Sequence, residues 1–154
     1  GKIKLHIGNG SKRDEDFVPV DVLGGKINPW ELPLKDNSVS EIWSSNALNH
    51  VSMARVNQTL REWLRVLKPT GRAIIQVPNF DFIAKYWLTG ADRSFAEQAV
   101  FGTQQRAGEF HRCAFTASLL KSDIEAAGFE VKRVEMRWVN NQEMLQAVCI
   151  KKSE

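Results

Sequence analysis

Between Val39 and Val77 the chain reads strand, helix, strand, and that order constrains the fold more than any other feature of the sequence. Val39 to Ser44 alternates apolar and polar residues as a strand does. From Ser52 to Leu67, the residues Met53, Val56, Leu60, Trp63, Leu64 and Leu67 fall on one stripe at helical spacing. Ser52 is placed to cap this helix, and Pro69 and Gly71 stop it. Arg72 to Val77 is a strand with the apolar centre Ala73-Ile74-Ile75, ended by Pro78. A helix between two strands is a crossover, and crossovers call for parallel neighbours in one sheet. The 154 residues are enough for one domain with a core that needs no staples.

The remaining pattern completes an α/β sheet. Ile3 to Ile7 and Phe17 to Val22 read as strands, with a brief third segment near Lys26-Ile27 and a proline-containing loop from Asn28 to Ser38. These early strands are joined by loops of about ten residues or fewer, whereas a parallel crossover needs about a dozen, commonly with a helix. The first half is therefore helix-poor, and one sheet face there is expected to lack cover. Bare apolar surface is costly at ~25 cal/mol per Å², so either a partner subunit or the 80–110 region is expected to lie over it. Phe82 to Leu88 and Asp92 to Phe101 read as short helices closed by Gly90 and Gly102. Thr116 to Ala127 is a helix with Thr116 as cap and Gly128 just beyond. Phe129 to Arg137 and Leu145 to Lys151 are strands joined by a short polar loop, which predicts an antiparallel hairpin at the sheet edge. The whole chain, 1–154, reads as one domain without repeats.

Composition narrows the function. The net charge is +3 and scattered, with Lys12-Arg13 followed at once by Asp14-Glu15-Asp16. A nucleic-acid binder more often shows a basic stripe, so no nucleic-acid partner is expected. Cys113 and Cys149 form no CxxC and have no histidine at ligand spacing, which predicts reduced thiols and no metal site. Cys149, within Ala147-Val148-Cys149-Ile150, reads as core. No apolar run reaches the ~20 residues of a membrane span and no secretory leader is visible, so a cytoplasmic location without a membrane partner is expected.

Two constellations carry chemistry. The first is Leu5-His6-Ile7-Gly8-Asn9-Gly10 followed by Asp21. Small residues at a strand's carboxyl end let a ligand approach the backbone, and an acid ending the next strand can accept both hydroxyls of a ribose. The bland alternative is a tight loop and a solvated aspartate. The second is Leu32-Pro33-Leu34-Lys35-Asp36-Asn37-Ser38, then Asn46-Ala47-Leu48-Asn49-His50, then Leu64-Arg65-Val66-Leu67-Lys68-Pro69-Thr70-Gly71.

In these segments, from Lys4 to Lys151, the sequence resembles the class I S-adenosylmethionine-dependent methyltransferases, of the type 11-like group and its compact subgroup. The resemblance implies a Rossmann-like, mostly parallel sheet with an antiparallel carboxyl-terminal edge hairpin, and S-adenosylmethionine as cofactor. It implies that Ile7, Gly8, Asn9 and Gly10 line the methionyl end, that Asp21 holds the ribose and that Val22 packs on adenine. Asn28 would accept from the adenine amine, Trp30 would flank the ring, and Asn46 would lie beneath the sulfonium. The 80–112 insert would shape the acceptor side, with His111, in Gly108-Glu109-Phe110-His111-Arg112, as the candidate base. A loop histidine bonded to a backbone carbonyl is the alternative for His111. His50 reads as packing beneath its turn, and His6 as facing a sheet surface. Trp63 and Trp43 read as core. Trp87 and Trp138 read as core or interface, or as lining the acceptor pocket.

The sequence departs from the family pattern at Asn9, Asn28, Asn49 and Thr70. The implied function is methyl transfer to oxygen or nitrogen of a small-molecule or saccharide acceptor, with a homodimer as an open possibility. The alternative is a catalytically weak or inactive cofactor-binding module of the same fold. A dinucleotide-binding Rossmann domain is disfavoured, because no third glycine opens a helix after the GNG loop.

Overall fold

The structure, a computed structural model, describes residues 2–8, 16–22 and 27–153. One six-stranded sheet runs through them. Its strands are β1 (Ile3–Gly8), β2 (Val18–Asp21), β3 (Val39–Ser45), β4 (Leu67–Pro78), β5 (Glu130–Val139) and β6 (Gln142–Ile150), in the order β2-β1-β3-β4-β6-β5. The first three pairings are parallel and the last two antiparallel. The helices are α1 (Val56–Val66), α2 (Phe80–Thr89), α3 (Arg93–Phe101) and α4 (Ala117–Ala126).

Alternation along the strands sorts side chains to two faces. Register puts Leu5, Ile42, Ala73 and Cys149 in one row and Ile7, Ser44, Ile75 and Ala147 in the next. All are buried, under Leu60 and Trp63 of α1 and Leu120 and Ile124 of α4. The other face carries the row His6, Trp43, Ile74, Val148 and Arg133. Ile74 and Val148 are buried there beside the long side chains of Trp43 and Arg133. Trp43 itself is only half-buried, so it is not the core residue its strand pattern suggested.

The 80–110 region does not cover this second face, as one of the two expectations had it. The Phe80 amide donates to the Phe115 carbonyl at 2.9 Å, and Asn79 bridges to Phe115. These bonds hold α2 and α3 at the carboxyl edge of the strands. Caps from Asn79 to the Asp81 amide and from Asp92 to the Phe95 amide start the two helices. Trp87 packs on Phe101 and Trp138 on Phe82, each edge-on, and both tryptophans remain about half exposed or more.

Three other boundaries differ from the sequence pattern. Ile27 lies in a bend and not in a third strand, while Lys26 lies outside the described residues. The helix begins at Val56 after a 3-10 turn, Met53–Arg55, and Ser52 makes no side-chain cap. Met53 is consequently 77% exposed, because the helical stripe does not yet apply to it. Strand β4 starts at Leu67, straight from α1, and bulges through Pro69 and Gly71: Val39 pairs with Leu67, and Glu41 already with Arg72. Thr70 takes φ 62° in the bulge, and a Cβ on Gly71 would meet the Lys68 carbonyl oxygen at 2.7 Å. The hairpin between β5 and β6 closes tightly through Asn140 and Asn141, both at positive φ, as a type I′ turn requires.

The end of α1 is tied to the loop that precedes β3. Glu62 Oε2 accepts from the Leu32 amide at 2.6 Å. The Arg65 guanidinium reaches Glu62 and Asp36, each at 2.7 Å, and donates to the Leu32 carbonyl at 3.2 Å. Lys151 Nζ donates to the Leu64 carbonyl at 2.8 Å and to Asn37 at 2.7 Å, closing the helix's carboxyl end.

The Arg65 bonds hold the Glu62 carboxyl below its ordinary value. Its stabilisation is therefore complete above the unfolded-state value of about 4.3 and is withdrawn as pH falls through the folded one. Urea unfolding between pH 3 and 7 checks this: E62Q flattens the acid limb of the stability curve, whereas an unchanged limb rules out the pairing.

Candidate active site

The carboxyl ends of β1 to β4 open into two adjoining hollows. The larger, about 580 Å³, is bordered by Asp21 from the end of β2, Asn46 from the end of β3, and Phe95, Gln98, Glu109 and His111 from the region after β4. The smaller, about 380 Å³, is bordered by Val22, Asn28, Trp30, Ala47, Arg55 and Arg112. His50 and Gly108 belong to both.

The sequence-derived site residues divide accordingly. Asp21 and Asn46 meet in the first hollow; Val22, Asn28 and Trp30 meet in the second. The Ile7 side chain points into the helix-covered core and lines neither hollow, so only its backbone faces the strand end. Gly8 lies at the carboxyl end of β1, where a Cβ would come within 2.9 Å of the Ser45 carbonyl oxygen. Close strand packing thus already demands glycine there. Asn9 and Gly10 lie outside the described residues. Asn46 adopts φ 53°, a conformation that asparagine tolerates better than most residues, and its amide donates to Gln76 of β4 at 3.0 Å. Trp30 carries the Arg55 guanidinium over its ring at 4.3 Å, which takes one of its faces.

Two histidines meet at the junction of the hollows. The rings of His50 and His111 stand edge to face, 4.7 Å between centroids and 86° between planes. His50 Nδ1 bonds the Phe110 carbonyl at 3.0 Å, and His111 Nδ1 bonds the Ala99 carbonyl at 2.8 Å. A carbonyl only accepts, so Nδ1 carries the hydrogen in neutral His111 and its Nε2 is left as acceptor, whereas His50 also meets the Gly108 backbone. Burial lowers both pKa values, that of His50 to about 4, with the neighbouring His111 charge as the second cause. Both rings are neutral at pH 7. His50 was read from sequence as packing beneath its turn; it lies instead on the wall of both hollows. The signal lay in its position four residues beyond Asn46, on the same strand-end turn.

Backbone bonds lace the segment around His111 to its surroundings. The His111 amide donates to Phe101 at 3.1 Å, and the amides of Arg112 and Cys113 donate to Asn49 at 2.9 and 3.4 Å. The Cys113 thiol bonds the Leu48 carbonyl, and burial raises its pKa to about 12, so it is no nucleophile. Glu109 accepts from the Thr103 hydroxyl at 2.6 Å, which lowers its pKa and keeps it charged. Among the described residues no three His, Cys, Asp or Glu side chains gather as metal ligands would, and no helix is long and apolar enough to cross a membrane.

The methyltransferase domain family matches residues 6–75. No curated protein sequence matches the chain. Solved structures do. The methyltransferase in complex with the Trm112 methyltransferase activator of Haloferax volcanii is 14% identical, with a TM-score of 0.67 over 100% of this chain and 83% of its own. A Thermotoga maritima S-adenosylmethionine-dependent methyltransferase is 17% identical, with a TM-score of 0.66 over 99% and 83%. The 1,6-didemethyltoxoflavin-N1-methyltransferase of Burkholderia thailandensis, crystallised with its substrate and S-adenosylhomocysteine, is 14% identical, with a TM-score of 0.64 over 99% and 72%. The chain thus matches the methyltransferase domain family in sequence over residues 6–75 and shares the fold of S-adenosylmethionine-dependent methyltransferases.

Proposed function

We propose that this domain transfers the methyl group of S-adenosylmethionine to an oxygen or nitrogen of a small-molecule or saccharide acceptor. The observation that carries the reading is the meeting of Asp21 and Asn46 in one hollow with Val22, Asn28 and Trp30 in the next, both bordered by neutral histidine. That donor set fits the cofactor. Asp21 would accept from the ribose hydroxyls, Val22 and the open side of Trp30 would enclose adenine, and the Asn28 side-chain oxygen would accept from its amine. Gly8, with the Asn9 and Gly10 that the family resemblance assigns, would border the methionyl end, and Asn46 the sulfonium. The cofactor, when bound, would supply an electrophilic methyl group to the acceptor and leave as S-adenosylhomocysteine.

The protein's part is positioning, worth up to ~7–11 kcal/mol of barrier, and removal of a proton from the acceptor. His111 Nε2 takes that proton, since its Nδ1 is committed to Ala99. Phe95 offers an apolar platform in the larger hollow, and Gln98, Thr103, Glu109 and Gln142 offer hydrogen-bonding groups around it. A polar acceptor bearing hydroxyl or amine groups suits that lining.

A non-catalytic binding module is the second reading. Its support is the departure of Asn9, Asn28, Asn49 and Thr70 from the family pattern.

Asp21→Ala weakens S-adenosylhomocysteine binding in calorimetry by about 1.5–3 kcal/mol, through loss of charged hydrogen bonds; equal affinity defeats the ribose assignment. His111→Ala lowers kcat with labelled S-adenosylmethionine by about a hundred- to ten-thousand-fold while cofactor affinity holds. In the native enzyme kcat falls in acid with a midpoint below 6.5, because burial holds the His111 pKa under that ordinary value. A midpoint at or above 6.5, or an unaffected H111A enzyme, removes His111 as base. Binding without transfer across an acceptor panel leaves the module reading.

A further inference from the structure

The peptide unit that leads into His111 is bonded at both ends. Its carbonyl, that of Phe110, accepts from His50 Nδ1 at 3.0 Å, and its amide, that of His111, donates to the Phe101 carbonyl at 3.1 Å. The following amide, that of Arg112, donates to Asn49 at 2.9 Å. A planar peptide held in this way cannot turn freely, so the side chain it carries keeps its direction. The His111 ring is held as well. The Ala99 carbonyl takes its Nδ1 at 2.8 Å, and the His50 ring stands edge to face against it, 4.7 Å between centroids. His50 thus touches His111 twice, through the preceding backbone and through the ring.

His50 is itself built onto the sheet. It closes the 3-10 turn Leu48–His50, and its amide donates to the Ala47 carbonyl at 3.1 Å. Asn46, which ends β3 beside this turn, borders the same large hollow as His111. Position 50 therefore meets two demands, a donor for the Phe110 carbonyl and a flat wall for the His111 ring. A carboxamide side chain meets only the first and phenylalanine only the second. Lysine or arginine would set a fixed positive charge against the base and lower its pKa. Imidazole meets both, and burial, with the His111 charge as second cause, lowers its own pKa to about 4, so it is uncharged at neutral pH.

We propose that His50 is a positioning residue for His111: its Nδ1 hydrogen pins the peptide leading into the base, and its ring covers one side of the imidazole. The proposal rests on the reading of His111 as the base. Other ionisable groups surround the pair. Asp21, Arg106 and Glu109 line the large hollow, Arg55 and Arg112 the smaller one, and Cys113 lies beside His111 on the side of Phe115.

The test separates the two contacts in the cofactor-free protein, and so needs no methyl transfer. His50→Asn puts an amide nitrogen where the imidazole has Nδ1 and gives up the ring; His50→Phe keeps a ring and gives up the donor. The His111 midpoint, followed by ¹⁵N NMR titration, rises toward 6.5 in H50N as water reaches the ring, and keeps its native value in H50F. Hydrogen exchange of the His111 amide responds the other way, roughly tenfold faster in H50F and at the native rate in H50N. In the acceptor assay H50F lowers kcat by up to about a hundredfold with the acid midpoint unchanged, whereas H50N moves that midpoint up. Native midpoints and native exchange in both variants overturn the proposal. So does equal movement of both readouts in both variants, the mark of general loosening. If one variant does not fold, the other decides: an unmoved midpoint in H50N, or unmoved exchange in H50F, is fatal. Separated responses in a protein that methylates nothing uphold the positioning and reject the catalytic reading of His111.

Discussion

The clasp between α1 and the loop preceding β3 fixes the backbone that brings Asn28 and Trp30 to the smaller hollow. Trp63, fully buried, donates its indole hydrogen to the Pro29 carbonyl at 3.0 Å, and Glu62 and Arg65 grip Leu32 and Asp36 one turn along. The amides of Asn37 and Ser38 add bonds to the carbonyls of Arg65 and Val66. Among its described residues this crossover has no helix of its own to hold it against the sheet, and the backbone that presents Asn28 and Trp30 is held by side chains of the next helix. Apart from the exposed Arg65–Asp36 pair, the bonded groups are buried or partly buried, where loss of one partner costs more than the bond itself is worth.

The segments that most resemble the family, Leu32-Pro33 through Ser38 and Arg65 through Gly71, thus act in the scaffold rather than in the chemistry. Arg65 is the fork of the clasp. Gly71 accepts from the Lys151 amide, and Thr70 donates to the Lys151 carbonyl, which locks the β4 bulge to the chain's last strand. The departure at Thr70 costs little there, because the bulge asks only for a positive φ at that residue, φ 62°, while the position without room for a side chain is still glycine.

Much of the sheet was legible because burial is periodic. The α1 stripe, the alternation in β1 and β3 and the Thr116 cap all reflect local rules, and the cap bond to Leu119 is present at 3.3 Å. The failures share another cause: they depended on contacts between distant segments. Met53 fits the stripe by spacing but precedes the helix. Trp43 is apolar on a central strand, yet its face of the sheet lies opposite α1 and α4. The 80–110 region reads as helices from sequence, but its placement over the carboxyl edge is set by Phe80 and Asn79 meeting Phe115. His50 was legible as a polar residue on a turn, and its neighbour His111 was not, since 60 residues separate His50 from the Phe110 carbonyl it holds. Of the candidate site, the strand-end residues Asp21, Val22 and Asn46 and the loop residues Asn28 and Trp30 were read from the family pattern. The unpaired amide of Asn49 needed three dimensions to be seen.

Two neutral imidazoles, a half-stacked tryptophan and a carboxylate at one strand edge make a definite claim about where a nucleoside lies. The most direct measurement is a crystal structure with S-adenosylhomocysteine. The account requires adenine between Val22 and Trp30, the ribose hydroxyls on Asp21 and the sulfur beside Asn46, facing the His111 hollow. Density for the ligand anywhere else, or a saturating soak that leaves both hollows to the protein's own side chains, contradicts it.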